Sequence, residues 1–247
     1  MSRETQSMAV VLVAHGDRGG EGTANAALFA LRDALGSDGA FASVVAGVLK
    51  GEPSLEAALT EAVASGGREV AVYPVFMADG YFTSTVLPQR LAAAAPSVPV
   101  RILPPLGLDP GLPPLMHACA LAAAARAGFD PNASDVLVVG HGSQMARASA
   151  EATERAAGAL RSLGGFASVS VALLEEPPFV GDVLAATDRP VIVLGFFSGD
   201  GLHAGEDVPA LMAEVGTPAI YAGSTGILPG IPDLVRQALG LPPASRR

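Results

Sequence analysis

Val10–Arg18 reads VVLVAHGDR, and Val136–Gln144 reads VLVVGHGSQ. In both, a run of strand length rich in valine and leucine ends abruptly in a His-Gly pair. Two further segments recur in the same order. GVLKGEPSL (Gly47–Leu55) is echoed by ALLEEPPFV (Ala172–Val180), and VYPVFMADGYFTSTVLP (Val72–Pro88) by VLGFFSGDGLHAGEDVP (Val193–Pro209). Self-similarity at this spacing means one supersecondary unit used twice. Taking His15 with His141, Pro53 with Pro177 and Pro88 with Pro209 as matched positions, the spacing drifts slightly, as small loop deletions would cause.

Working outward from these segments, strand-length apolar runs alternate with Ala/Leu-rich stretches of helical length, which is the pattern of βαβ units on a parallel sheet. Strands are expected near 8–14, 43–49, 69–76, 98–103, 135–140, 167–174, 190–197 and 217–221. Helices are expected near 23–35, 54–65, 84–95, 110–127, 145–163, 178–187, 206–214 and 231–239. Runs such as VLVVG and VIVLGFF do not alternate with polar residues, so both sheet faces should be covered. The fold class is α/β: two similar lobes, each a parallel β-sheet flanked by helices. The repeat divides as 1–130 and 131–247, with the seam in FDPNASD (Phe129–Asp135).

Composition narrows the function. Half of the 247 residues are apolar and 16% are charged, enough apolar material for two ordinary cores. The formal charge of −9 argues against nucleic acid or an anionic membrane as partner. No apolar run is long enough to cross a bilayer, and MSRETQSMAV lacks a secretory pattern. The single cysteine, Cys119, allows no internal disulfide and fits a reducing cytoplasm. No GxSxG, HExxH or paired CxxC is present, which leaves hydrolase and zincin readings without support.

The polar residues at the strand ends carry the chemistry. His141 follows VLVVG, Glu175 follows VSVALL, and His203 lies a short loop beyond VIVLGFF. Ligands bind at that edge of an open α/β sheet. The matched positions of the first copy are His15, Lys50 and Phe82. Two imidazoles and a carboxylate can hold a divalent metal; an imidazole, an ammonium and a phenyl ring cannot. Gly142 and Ser143, opening a helix after His141, offer backbone donors to an anion. Glu176, matched to Glu52, is expected to cap the following helix, and Asp207 the next one. Glu206 is a candidate to orient His203. His117 and Cys119, on an apolar helix, read as packed side chains, and His15 as a relic or an isolated base.

At VVGHGSQ, LLEEP and FFSGDGLHAGEDVP the chain resembles the CbiX/SirB family of sirohydrochlorin chelatases, whose signature elements occur here in order over both halves. The resemblance implies a two-lobed class II chelatase fold. It also implies insertion of Co2+ or Fe2+ into a tetrapyrrole for cobalamin or siroheme synthesis. The metal is then a substrate, and no cofactor is permanently bound. His141, His203 and Glu175 take the metal-handling positions. Gly142, Ser143 and Arg147, or Arg18, would meet the carboxylates of the macrocycle. Two-lobed relatives often carry the full set in the first lobe; here it lies in the second. A non-catalytic tetrapyrrole- or metal-binding relative and a phosphate-binding module are the competing readings.

Overall fold

A computed structural model describes residues 7–16, 25–37, 39–143, 145–201 and 203–244; the side chain of His203 and the whole of Arg18 lie outside what is described. Among the described residues, eight strands form two separate four-stranded sheets. The first holds β1 (Met8–Ala14), β2 (Ser43–Val48), β3 (Glu69–Pro74) and β4 (Val100–Ile102) in the order β2-β1-β3-β4. The second holds β5 (Asp135–Gly140), β6 (Ser168–Leu173), β7 (Val191–Gly195) and β8 (Ala219–Ser224) in the order β6-β5-β7-β8. Every pairing is parallel. The strand order reverses between β1 and β3, and between β5 and β7, so adjacent connections leave there toward opposite faces.

The helices are α1 (Ala26–Gly36), α2 (Leu55–Ala64), α3 (Leu87–Ala94), α4 (Leu112–Ala127), α5 (Ala148–Leu163), α6 (Val180–Ala185), α7 (Val208–Glu214) and α8 (Ile231–Ala238). Ala9, Val11 and Val13 of β1 pack against Leu55, Leu59, Leu87 and Leu91 of α2 and α3. Leu137 and Val139 of β5 pack likewise against Val180, Leu184 and Val208 of α6 and α7. The alternate residues, Val10 and Leu12 in β1 and Val136 and Val138 in β5, are equally buried, as a sheet covered on both faces requires. Among the described residues no helix is long and apolar enough to cross a membrane.

The two compact units do not coincide with the two copies of the repeat. Residues 1–109 and 229–247 form one unit, and 110–228 form the other. Helix α4 closes the first copy in sequence but packs on α5, β7 and β8. Helix α8 closes the second copy and packs on α1. Each copy thus donates its last helix to the other unit. The repeat boundary is a property of sequence, whereas the unit boundary follows what each closing helix packs against.

Within the first unit Arg90 of α3 donates from Nε to Glu56 Oε1 of α2 at 2.7 Å and from Nη1 to the Leu49 carbonyl at 2.6 Å. Its charged hydrogen bonds hold the Glu56 carboxyl below its ordinary value of 4.5. A carboxyl lowered in the folded state stabilises above its unfolded value, and that contribution is lost as pH falls through the folded one. Both side chains are partly exposed, so Arg90→Met should cost about 1 kcal/mol at neutral pH. The gap in urea midpoint between wild type and variant should narrow as pH drops below 4.5. A gap independent of pH would refute this role for the pair.

Candidate functional site

Strand pairing continues one step beyond β1 and β2, where the Lys50 N–H donates to the His15 carbonyl at 2.9 Å. The Glu175 N–H donates to the His141 carbonyl at the same 2.9 Å in the second unit. These bonds fix each histidine beside the residue that follows the edge strand. The glycine after each histidine has positive φ, +81° at Gly16 and +75° at Gly142. A Cβ at Gly16 would lie 2.0 Å from the Lys50 carbonyl oxygen, so the chain can turn that closely only with glycine.

The third position reaches the same edge through an unusual turn. Phe82–Val86 and His203–Asp207 are single π-helical turns running into α3 and α7. In the first, the Leu87 N–H donates to the Phe82 carbonyl. Proline follows one residue into each helix, at Pro88 and Pro209, and cannot supply the N–H an α-turn would use there. The wider turn is a recurrent feature of functional sites. Its first residue is Phe82 in one unit and His203 in the other.

In the first unit the three side chains meet. The His15 and Phe82 rings stand edge to face with centroids 4.7 Å apart, and Lys50 Nζ lies 5.2 Å from the Phe82 centroid. In the second unit His141 and Glu175 have the same backbone relationship, and His203 opens the matching π-turn. His141 Nδ1 lies 3.0 Å from the Gly142 carbonyl, the same distance as from His15 Nδ1 to Gly16. A carbonyl can only accept, so Nδ1 carries the proton of the neutral ring and Nε2 keeps the lone pair. Among the described residues no three His, Cys, Asp or Glu side chains form a metal-binding group; the His203 side chain is not among them.

Several expectations change. The chain does not enter a helix at Ser143; α5 begins at Ala148 with Arg147 as its cap residue. The Gly142 N–H donates to Ser149 Oγ at 3.1 Å, and the Ser143 N–H to Glu176 Oε1 at 2.9 Å. Those amides hold the loop's own shape and are not open donors for an anion. Glu176 therefore braces the loop after β5 and does not cap α6, whose cap residue is Phe179 with no side-chain bond. It also stands opposite Gly51, not Glu52. The Val48 N–H donates to Pro53 and the Leu173 N–H to Pro178, so Pro178, not Pro177, is the counterpart of Pro53. Asp207 makes no capping bond, because α7 continues directly from the π-turn. Glu206 is exposed on that turn. Arg147 is exposed, with Nε 3.5 Å from Glu151 Oε1. It lines, with Glu154, Arg161, Leu173, Glu176 and Pro178, a hollow of about 680 Å³.

His117 and Cys119 are structural. His117 Nε2 lies 2.9 Å from the Gly164 carbonyl, and its ring meets Phe166 edge to face. Cys119 Sγ lies 3.6 Å from the Ala222 carbonyl, and burial raises its pKa, which suppresses the thiolate. A pair missed in the sequence is Asp200 and Ser224, whose Oγ donates to Asp200 Oδ1 at 2.6 Å just before the His203 turn. Its only trace was the recurrence of Asp-Gly at Asp79 and Asp200.

Two α/β units, each a parallel sheet with a histidine at the end of its central strand, define a duplicated, chelatase-like architecture. The CbiX family model matches residues 9–121 and again 135–240, one match for each copy. The chain belongs to the CbiX family. It is 28% identical over 224 residues to a protein described as a probable sirohydrochlorin cobaltochelatase of Halobacterium salinarum, covering 81% of this chain and 75% of that one. Among solved structures it is similar to CbiX, the terminal enzyme for biosynthesis of siroheme in denitrifying bacteria. That match has 32% identity and a TM-score of 0.77, and it covers 94% of this chain and 97% of the other. It also shares its fold with SirB from Bacillus subtilis, at 18% identity, TM-score 0.77 and 94% coverage of each chain.

If Glu176 braces the histidine loop, Glu176→Ala should lower stability by about 1–2 kcal/mol, since a charged acceptor is lost from a partly buried amide. Amide exchange at Ser143 should accelerate, and Glu176→Gln, which keeps an oxygen acceptor, should fall between. Unchanged exchange at Ser143 in the alanine variant would count against the brace.

Proposed function

We propose that this chain is a sirohydrochlorin chelatase that inserts Co2+ or Fe2+ into the macrocycle, with His141, Glu175 and His203 handling the metal in the second unit. The observation that carries this reading is the matched geometry of the two sheet edges. In the first unit the residues after β1, after β2 and at the head of the π-turn touch one another. The same three backbone positions in the second unit carry two imidazoles and a carboxylate.

The reaction exchanges two pyrrole N–H protons for one divalent ion. It needs ligands that hold the ion without trapping it, and a base that works near neutral pH. Imidazole serves both needs, because its pKa lies near neutrality and its neutral nitrogen is a moderate ligand for Fe and Co. Hydrogen bonding from Nδ1 to Gly142 presents Nε2 of His141 as the coordinating or proton-accepting atom. Glu175 supplies the negative charge that favours a cation over a proton at the same site. Gly142 and Ser143 then shape the histidine loop, and Arg147 is the exposed cation available to a macrocycle carboxylate. The first unit, with Lys50 and Phe82, supports no metal site, and His15 there is kept against Phe82. The relatives described as a cobaltochelatase and as the terminal enzyme for siroheme biosynthesis support this substrate class and both metals.

The test is the absorbance change of sirohydrochlorin on adding Co2+ or Fe2+. His141→Ala and His203→Ala should each lower turnover at least about 100-fold, the scale of losing a positioned acid-base group. Full turnover in both variants would refute the assignment. Wild-type protein that binds sirohydrochlorin without accelerating insertion would mark it as a carrier. A converse experiment tests the repeat: the double substitution Lys50→Glu and Phe82→His should raise Co2+ stoichiometry from one to two per chain. A stoichiometry that stays at one would refute the equivalence of the two edges.

A further inference from the structure

The two π-turns are tethered differently, and the difference falls on the unit that carries His203. In the first unit the loop closes on itself. Thr83 Oγ1, inside the π-turn, donates to Asp79 Oδ1 at 2.9 Å and lies 2.9 Å from the Gly80 N–H. Residue 105, preceding the short helical turn at Leu106–Leu108 after β4, is proline and has no hydroxyl to offer. The second unit reverses both choices. Ala204 takes the place of Thr83, so Asp200, the counterpart of Asp79, loses its partner within the turn. Ser224, the counterpart of Pro105 before the turn at Thr225–Ile227, gives Asp200 a bond of 2.6 Å instead.

The backbone equivalence behind this comparison is close. Gly107 and Gly226 both donate, at 2.9 Å, to the phenylalanine carbonyls of Phe76 and Phe197. The Thr83 and Ala204 amides both donate at 3.0 Å to the glycine at the head of their loops. Two more replacements lie on β7 and β8, the strands that flank this loop and its tie. Gly195 and Tyr221 stand where the first unit has Pro74 and Ile102. A Cβ at Gly195 would come within 2.5 Å of the Tyr221 hydroxyl, so the glycine makes room for it. That hydroxyl is buried, and burial raises its pKa, keeping it a neutral phenol. Four positions thus change together: Thr83, Pro105, Pro74 and Ile102 in the first unit are Ala204, Ser224, Gly195 and Tyr221 in the second, where the loop is tied to the end of β8.

We propose that Asp200 and Ser224 are positioning residues for His203: their hydrogen bond ties the loop that presents His203 to the end of β8, and so fixes the distance between His203 and the His141–Glu175 pair. This rests on the reading of His203 as a metal-handling residue. The loop of the first unit, which presents only Phe82, has no such tie.

The experiment uses the full chain with Co2+ alone, followed by titration calorimetry and the visible spectrum of the bound ion. Ser224→Ala should weaken Co2+ binding about 10-fold, the lower end of what supporting groups around metal ligands contribute, and Asp200→Asn, which keeps an oxygen acceptor, by less. The melting temperature should stay near that of wild type, because the bond lies at a loop. The added substitution Ala204→Thr in the Ser224→Ala background restores the closure of the first unit and should recover most of the affinity. Affinity within twofold of wild type in both single variants overturns the proposal. So does loss in Asp200→Asn alone, which would make Asp200 itself a ligand. His203→Ala is the control. If it abolishes Co2+ binding while Ser224→Ala does not weaken it, only the tether falls; if it leaves binding intact, the site assignment falls with it.

Discussion

The amide of Glu175 donating to the carbonyl of His141, and that of Lys50 to His15, is the constraint on which both sheet edges depend. In a parallel sheet the hydrogen-bond ladder fixes which residues leave adjacent strands side by side. Extending the ladder one step past β5 and β6 leaves no freedom in how a histidine and its neighbour are paired. The positive-φ glycine after each histidine then turns the chain away before a side chain can intrude. Backbone geometry thus sets the positions, and side chains are free to differ on them.

They do differ, and the divergence is chemically coherent. Where the second copy has Glu175 and His203, the first has a cation above an aromatic ring that also takes the edge of His15. A lysine over a phenyl face is a modest attraction that needs no further partner. The first edge fills its own centre with these side chains, while the second carries Glu175 and His203 at the matching backbone positions. One scaffold therefore carries two different sets of side chains, in keeping with the separation of fold from site chemistry.

Much of this was legible in the sequence, because strands buried on both faces announce themselves as unbroken apolar runs; β1 and β5 span 8–14 and 135–140, the bounds expected for them. The π-turns were hidden, since a one-residue widening leaves no trace in hydrophobic period, and the helix start was therefore placed among Glu206 and Asp207. The twin prolines Pro177 and Pro178 both align with Pro53, and only the hydrogen bond from Leu173 chooses between them. Ser143 and Gln144 look like a helix opening, yet the amide of Ser143 is claimed by Glu176, thirty-odd residues away in sequence, which no local pattern encodes. Nor can the apolar face of α4 say which of two similar sheets it covers.

The exchange of α4 and α8 bears on how the chain acquires its structure during synthesis. Ile231, Leu234 and Val235 of α8 are buried, and they complete a unit whose four strands were all made before residue 103. The first sheet emerges from the ribosome early, but its helix α1 lacks its partner α8 until every strand of the second has been translated. Its partner unit receives α4 ahead of its own strands. Contacts spanning such separations close slowly, since a long loop must be ordered before they form. Neither unit is therefore complete from one copy alone, since each includes a helix that the other copy encodes.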